Sequence, residues 1–246
     1  MAGLQPAWLL HSRPYREQSV IASYLVAGSG RIDMVVNGVR QRKNSRAALL
    51  QPFSRVLLSW KGHQELKKLV AIEPDLFSPG SGPLTLNGRA LFCGFYINEV
   101  VLRALLPGQS AGGIISLYER TIRQLANAEK AEENKEPYLR GFELDLLSQL
   151  GYAPTLDYDV TGDPLQPDTL YHFQPEQGFY SIQALTDQRD KSYDYPAEVL
   201  LAMSRRDFSN PGYYRWFKRF TRQALVPVLG HRPLSSRSLF MRQKPH

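Results

Sequence analysis

Residues 20–36, VIASYLVAGSGRIDMVV, give the strongest indication of the architecture, because they predict two short strands separated by a turn. Residues 20–26 mix β-branched, aromatic and aliphatic side chains, which favour strands. Gly28 and Gly30 supply the conformational freedom of a tight turn. Residues 31–36 then alternate in polarity, which is the period of a strand with one buried face.

Three more segments extend this pattern on either side. Residues 7–11, 56–60 and 66–72 are short strand-like runs, and Asn37-Gly38 and Lys61-Gly62 break the chain between strands. Five strands within about 70 residues favour a small closed barrel, and the OB-fold is the most common five-stranded form. The pattern alone leaves an SH3-like barrel open.

A linker and a change of period follow the barrel. Residues 78–83 are rich in Ser, Pro and Gly, and apolar residues then recur at helical spacing. The sequence therefore predicts an α+β protein with an OB-fold domain at residues 1–77 and a mainly helical domain at residues 84–246. Within the latter, residues 155–182 are polar and rich in turn residues, and we expect an irregular insert there.

The charge is distributed unevenly around a net value of +7. Residues 13–68 carry 11 Lys and Arg against three acids, and residues 205–246 carry 10 against one. Two basic ends around an acidic middle indicate a polyanion partner, although ordinary surface scatter is the simpler alternative. The single cysteine, Cys93, excludes an internal disulfide and a cysteine zinc site, and this usage fits a reducing cytoplasm.

No enzyme motif is present. The sequence has no phosphate-binding loop and no nucleophile elbow, and its five histidines are not spaced as metal ligands. A second hypothesis is a metal-dependent nuclease that uses an acidic group, which consists of Asp157, Asp159, Asp163 and Asp168. Asp alternating with Gly and Pro is also the usual composition of solvated turns, and we therefore predict a protein without catalytic residues or cofactor.

Two basic features are candidate DNA contacts. Arg40, Arg42, Lys43 and Arg46 form a cationic loop between the third and fourth predicted strands, and Arg31 lies on the third. Near the other end, a predicted helix places Arg215, Lys218, Arg219 and Arg222 within about 100° of arc, opposite an aromatic stripe. Such a helix can also bind a membrane surface, but only if its apolar side is undocked.

The sequence resembles the RecO family of DNA repair proteins along its whole length. The matching motifs are Leu10-His11-Ser12-Arg13-Pro14-Tyr15, Gly30-Arg31, Asn37-Gly38-Val39-Arg40, Leu50-Gln51-Pro52-Phe53, Tyr96-Ile97-Asn98-Glu99, Arg140-Gly141-Phe142-Glu143, Leu150-Gly151-Tyr152, Lys218-Arg219-Phe220-Thr221-Arg222, Ser236-Arg237 and Leu239-Phe240. They occur in the family's order, so together they are far more specific than any one of them.

The resemblance implies a recombination mediator that is cytoplasmic and associated with the nucleoid. Proteins of this family bind single- and double-stranded DNA, anneal complementary strands, and bind the acidic tail of the single-stranded-DNA-binding protein SSB. With RecR they help to load RecA onto SSB-coated DNA. Many relatives carry a four-cysteine zinc module where this chain has residues 155–182, so we expect this region to fold without metal or to be loosely ordered, as in the shorter enteric-bacterial form.

The SSB tail, as the resemblance describes it, is acidic and ends in an apolar residue, so its receptor needs a cation beside an apolar pocket. Leu139, Arg140 and Phe142 lie at the start of a predicted helix, where the dipole also favours an anion. We predict that these three residues bind the tail. The alternative is that Arg140 pairs with Glu136 or Glu143 on its own helix.

Overall fold

The computed structural model describes residues 3–39, 46–76, 84–186 and 188–241, and the backbone alone of Arg46 and Met241. The fold divides into two compact units. The first comprises Met1–Lys135 with Pro233–His246, and the second comprises Glu136–Arg232. The predicted linker at residues 78–83 lies outside the described residues, so the predicted domain boundaries stay a prediction.

The first unit contains the predicted barrel. Its strands are β1 (Gln5–Tyr15), β2 (Ser19–Val26), β3 (Gly30–Val36), β4 (Arg55–Lys61) and β5 (Leu66–Pro74), with the short helix α1 (Arg46–Leu49) before β4. They close in the order β1-β2-β3-β5-β4, with β3 and β5 parallel and the other pairs antiparallel. The α+β class and the five-stranded OB-type barrel are therefore confirmed.

Strand β2 is buried on both of its faces. Ala22, Tyr24 and Val26 point into the barrel core. Because side chains alternate along a strand, Ile21 and Leu25 point outward, yet they are only 8% and 0% exposed. The outer side of β2 is therefore buried, although in other OB-folds this part of the barrel binds ligands.

Two helices follow in the first unit, namely α2 (Gly88–Ala104) and α3 (Ile114–Lys130). The register of β1 shifts between Leu9 and His11, and the Asn98 side-chain amide donates to the carbonyls of Leu9 and Leu10 at 3.4 and 3.0 Å. Tyr118 of α3 donates to Asn98 Oδ1 at 2.7 Å. Asn98 thus satisfies buried backbone carbonyls at a bulge, where strand pairing is interrupted.

The last segment of the chain also packs in the first unit. Glu99 of α2 accepts hydrogen bonds from the backbone amides of Ser235 and Ser236 at 2.9 and 2.8 Å, and Arg103 donates to the carbonyl of Pro233 at 2.9 Å. Burial alone would raise the pKa of Glu99, but the hydrogen bonds from Ser236 and Ser235 and the charge of Arg103 lower it below its ordinary value. The short helix α8 (Arg237–Met241) then follows.

The second unit combines helices with a small antiparallel sheet. Its helices are α4 (Glu136–Gln149), α5 (Ala197–Ser204), α6 (Tyr214–Ala224) and α7 (Val226–Leu229), and its strands β6 (Leu170–Gln174), β7 (Gly178–Ser181) and β8 (Asp194–Pro196) pair in the order β7-β6-β8. Residues 155–182 supply buried side chains to its core, among them Leu165, Phe173 and Phe179. Of the two alternatives stated for this region, loose ordering is wrong, because the region carries apolar residues that pack into the core.

No helix within the described part of the chain has both the length and the hydropathy needed to cross a bilayer.

Candidate nucleic-acid interface

Helix α6 has a buried apolar face and a basic outer face. A single 3₁₀ turn, Pro211–Tyr213, precedes the helix, and the Asn210 side chain accepts from the amide of Gly212 at 2.9 Å. Phe217 and Phe220 are fully buried and contact the aromatic rings of the second unit's core. The predicted aromatic stripe is thus core packing. The apolar side of α6 is docked within the second unit, whereas a helix bound to a membrane surface needs that side free.

The four predicted cations of α6 have different surroundings. Arg215 and Arg222 are exposed. Lys218 lies 3.4 Å from Glu136 of α4, with 43% of its side chain exposed. The α6 sequence contains no acid, but α4 supplies one to this face, so Lys218 is partly neutralised.

Arg219 is held between aromatic rings. Its guanidinium carbon lies 4.5 Å from the ring centroid of Tyr195 and 4.4 Å from that of Trp216, and Nη2 donates to the carbonyl oxygen of Asp194. Arg215 lies over the same indole at 5.2 Å. We refer to Tyr195, Arg215, Trp216 and Arg219 as the ring–guanidinium cluster.

Sequence reasoning missed Trp216 in this cluster. The helical period places Trp216 between the basic arc and the apolar stripe, about 60° from Arg219 and about 40° from Phe220. This intermediate angular position was the available signal, because an aromatic residue between a cationic arc and an apolar stripe lies at the border between core and solvent.

A buried carboxylate positions the backbone beneath the cluster. Asp194 of β8 is 8% exposed and lies 2.8 Å from His172 Nδ1. Arg189 approaches the same carboxylate through Nε at 3.2 Å and Nη2 at 3.0 Å. Asp194 therefore fixes β8 through its side chain and anchors Arg219 through its carbonyl.

The predicted barrel contacts are only partly described. Arg40, Arg42 and Lys43 lie outside the described residues, and only the backbone of Arg46 is described, as the first residue of α1. Arg31 is 19% exposed and pairs with Asp33 at 2.7 Å, while Nη1 donates to the carbonyls of Leu102 and Leu105. Arg31 thus satisfies carbonyls at the end of α2, and its contact with DNA stays a prediction.

The barrel also places side by side two exposed cations that were not predicted as DNA contacts. Lys61 of β4 and Lys68 of β5 are directly paired in register, and both are exposed. Like charges at paired positions destabilise a sheet, unless an anion lies nearby. They were missed because their proximity depends on strand register.

The residues predicted to bind the SSB tail lie in the interior of the second unit. Leu139, Arg140 and Phe142 are 6%, 3% and 1% exposed. Arg140 Nη1 lies 2.7 Å from Glu143 and donates to Thr221 Oγ1 at 2.8 Å, while Nε lies 3.4 Å from Glu136. The geometry matches the alternative of pairing on the same helix. Tail binding at these residues stays a prediction, and their burial weighs against it.

The acidic group forms a turn. Asp159 accepts hydrogen bonds from the amide and hydroxyl of Thr161 at 2.8 and 2.6 Å and from the amide of Asp163 at 3.1 Å. The hydrogen bond from the Thr161 side chain is the main cause of the lowered pKa of Asp159. Among the described residues, no three His, Cys, Asp or Glu side chains converge as metal ligands would.

Comparison with known proteins gives one consistent result. A family model described as "Recombination protein O N terminal" matches residues 1–75, and one described as "Recombination protein O C terminal" matches residues 86–238. The chain is 40% identical to the DNA repair protein RecO of Cellvibrio japonicus over 245 residues, which is 99% of this chain and 98% of that protein. For Pseudomonas paraeruginosa the identity is 39%, covering 99% and 97% of the two chains, and for Vibrio cholerae it is 37%, covering 97% and 93%.

Proposed function

Because the chain belongs to the RecO family of DNA repair proteins, we propose that it is a non-enzymatic recombination mediator that binds DNA and anneals complementary strands. A role in DNA repair and recombination follows from the family itself. The finer steps are part of the proposal: it binds single- and double-stranded DNA and the SSB tail, and with RecR it helps to load RecA.

The outer face of α6 is the observation that carries the DNA-binding part. Arg215 and Arg222 are exposed on this face, and Arg219 and Trp216 lie beside them. Exposed arginines neutralise phosphates without reading sequence, and an aromatic ring accepts any base. Lys61 and Lys68 form a second candidate site for the phosphate backbone, on the barrel.

The mechanism needs only electrostatics and base pairing. Two DNA strands repel each other through their phosphates, and cations on one protein surface reduce that repulsion while both strands are bound. Complementary bases then pair by themselves. No proton or group transfer by the protein is required.

The most direct test is annealing of complementary strands coated with cognate SSB, with and without RecR. We expect the protein to accelerate annealing of the coated strands, and we expect RecR to be required for RecA loading onto the same substrate. A control incubation with magnesium and radiolabelled single strands should leave them intact. Magnesium-dependent cleavage by the pure protein would instead favour the nuclease hypothesis.

Removing two exposed charges from α6 should reduce the salt dependence of binding. For the double variant Arg215→Gln and Arg222→Gln, the slope of log affinity against log salt on single strands should fall by about 1.4, or about 0.7 for each lost phosphate contact. Arg206→Gln is a matched control, because Arg206 is also an exposed arginine of the second unit but lies outside α6. Equal slopes for the double variant and the wild type would show that this face does not meet phosphates.

The barrel loop can be tested in the same assay. Replacing Arg40, Arg42, Lys43 and Arg46 with Gln should reduce the slope on single strands by about 3, if all four meet phosphates. The loss should be nearly independent of DNA sequence, because phosphate contacts carry no base information. A wild-type slope in this variant would exclude the loop from the interface.

A further inference from the structure

We propose that Trp216 is a stacking site for unpaired nucleobases, which makes the α6 face selective for single-stranded over duplex DNA. The proposal rests on the proposed DNA binding and adds to it the ligand group that the ring takes and the form of DNA that the site prefers.

The indole is held in place from within the second unit. The Arg219 guanidinium lies 4.4 Å from the Trp216 ring and 4.5 Å from that of Tyr195, which is completely buried. Trp216 and Tyr195 also meet edge to face, with centroids 6.1 Å apart. Cation–π and aromatic contacts of this kind stabilise one ring orientation.

The support beneath the ring is itself fixed. Arg219 donates to the Asp194 carbonyl, and the Asp194 side chain is held by His172 and Arg189. Tyr195 donates to Gln223 on α6. A ring supported by two layers of contacts loses little conformational freedom when a ligand binds, which favours binding on that ring.

An exposed cation lies close to the ring, as binding of a nucleotide needs. Trp216 is partly exposed, and the exposed Arg215 lies over it at 5.2 Å. Arg215 can move from the indole to a phosphate when a base takes its place, and Arg222 extends the cationic face along α6. Ring and cations together match a base and its flanking phosphates.

This arrangement distinguishes single strands from duplexes. In a duplex both faces of a base are covered by its neighbours, so a protein ring has no access without unstacking. In a single strand each base has a free face, and stacking on an aromatic residue tolerates any base. The same cations contact phosphates of either form.

The test uses the full chain with oligo(dT) and with a duplex of equal length, over a series of salt concentrations, and affinities are compared at the same salt. Trp216→Leu should weaken oligo(dT) binding by about 5- to 100-fold, with duplex binding changed by less than about 2-fold. Trp216→Phe should retain most of the oligo(dT) affinity because a ring remains. The salt slope of Trp216→Leu should equal that of the wild type, because no phosphate contact is lost.

A fluorescence measurement keeps the proposal testable if Trp216→Leu fails to fold. The protein has three tryptophans, and Trp8 is 1% exposed, so Trp60→Phe leaves Trp216 as the accessible emitter. Oligo(dT) should quench this variant strongly, and the duplex should not.

The contrary outcomes of these experiments contradict different parts of the proposal. Wild-type affinity of Trp216→Leu for oligo(dT), or absence of quenching in Trp60→Phe, overturns the stacking site and leaves DNA binding by the protein intact. Equal losses on oligo(dT) and duplex, at an unchanged melting temperature, overturn strand selectivity. A wild-type protein that binds neither DNA contradicts the proposed function itself.

Discussion

Arg140→Ala is expected to lower the free energy of unfolding of the second unit by about 3–5 kcal/mol. The Arg140 guanidinium lies 2.7 Å from Glu143, whose side chain has no exposed surface. Removing the cation leaves a carboxylate in the interior without its nearest positive charge. Urea unfolding followed by Trp216 fluorescence measures this, because Trp216 is the one tryptophan between residues 136 and 232.

Two further variants separate the buried charge from other causes. Arg206→Ala removes an arginine of the same unit that also lies 3.0 Å from a carboxylate, but both partners are at least 36% exposed. Its expected loss is about 0.2–1 kcal/mol. The double variant Arg140→Met and Glu143→Leu should recover most of the stability, since it removes both buried charges. A small loss for Arg140→Ala, similar to that for Arg206→Ala, would contradict this account.

The same result matters for the SSB tail. A loss of tail binding in Arg140→Ala has two explanations, namely a missing contact or a damaged second unit. The tail peptide should therefore be titrated against the double variant as well. Normal affinity of the double variant for the tail peptide would show that the loss in Arg140→Ala arises from lower stability. The tail would then bind elsewhere than at Arg140.

Gly30→Ala should destabilise the first unit by about 2–5 kcal/mol, the sum of two costs. Gly30 has a φ of 75°, which L-residues adopt at a cost of about 1–2 kcal/mol. A Cβ atom at Gly30 would also lie 1.7 Å from the carbonyl oxygen of Gln109, so backbone must move. Unfolding can be followed through Trp8 and Trp60, which both lie in this unit.

Gly28→Ala is the matched control in the same turn. Gly28 has a φ of 71°, but no atom lies within 4 Å of the added Cβ. Its loss should therefore be the conformational part alone, about 1–2 kcal/mol. Equal losses for the two variants would mean that the segment around Gln109 moves aside easily, contrary to the packing described above.

The barrel was predictable because its signals are local. Alternating polarity, β-branched residues and glycine turns each depend on a few neighbouring residues, and they located all five strands to within a few positions. The covered outer side of β2 had a signal too, since residues 20–26 are apolar at almost every position and do not alternate. A run of that kind indicates a strand buried on both faces.

The candidate site was predictable only in part, for the same physical reason. The basic arc of α6 follows from the helical period within one segment. The contacts of Lys218 with Glu136 and of Arg219 with Asp194 do not follow from that period, because the partners are 82 and 25 positions apart in the sequence. Pairing of Arg140 with Glu136 or Glu143 was only the alternative to tail binding, and its hydrogen bond to Thr221, 81 residues away, had no local signal.

The contacts of Glu99 with Ser235 and Ser236 also bear on how the protein is synthesised. A ribosome extends the chain from its N-terminus, so it must produce residues 136–232, the whole second unit, before the segment that contacts Glu99 of α2 emerges. The side of α2 that carries Glu99 therefore stays uncovered until the whole second unit has been synthesised. Residues made after the second unit thus complete a unit whose other residues are made before it.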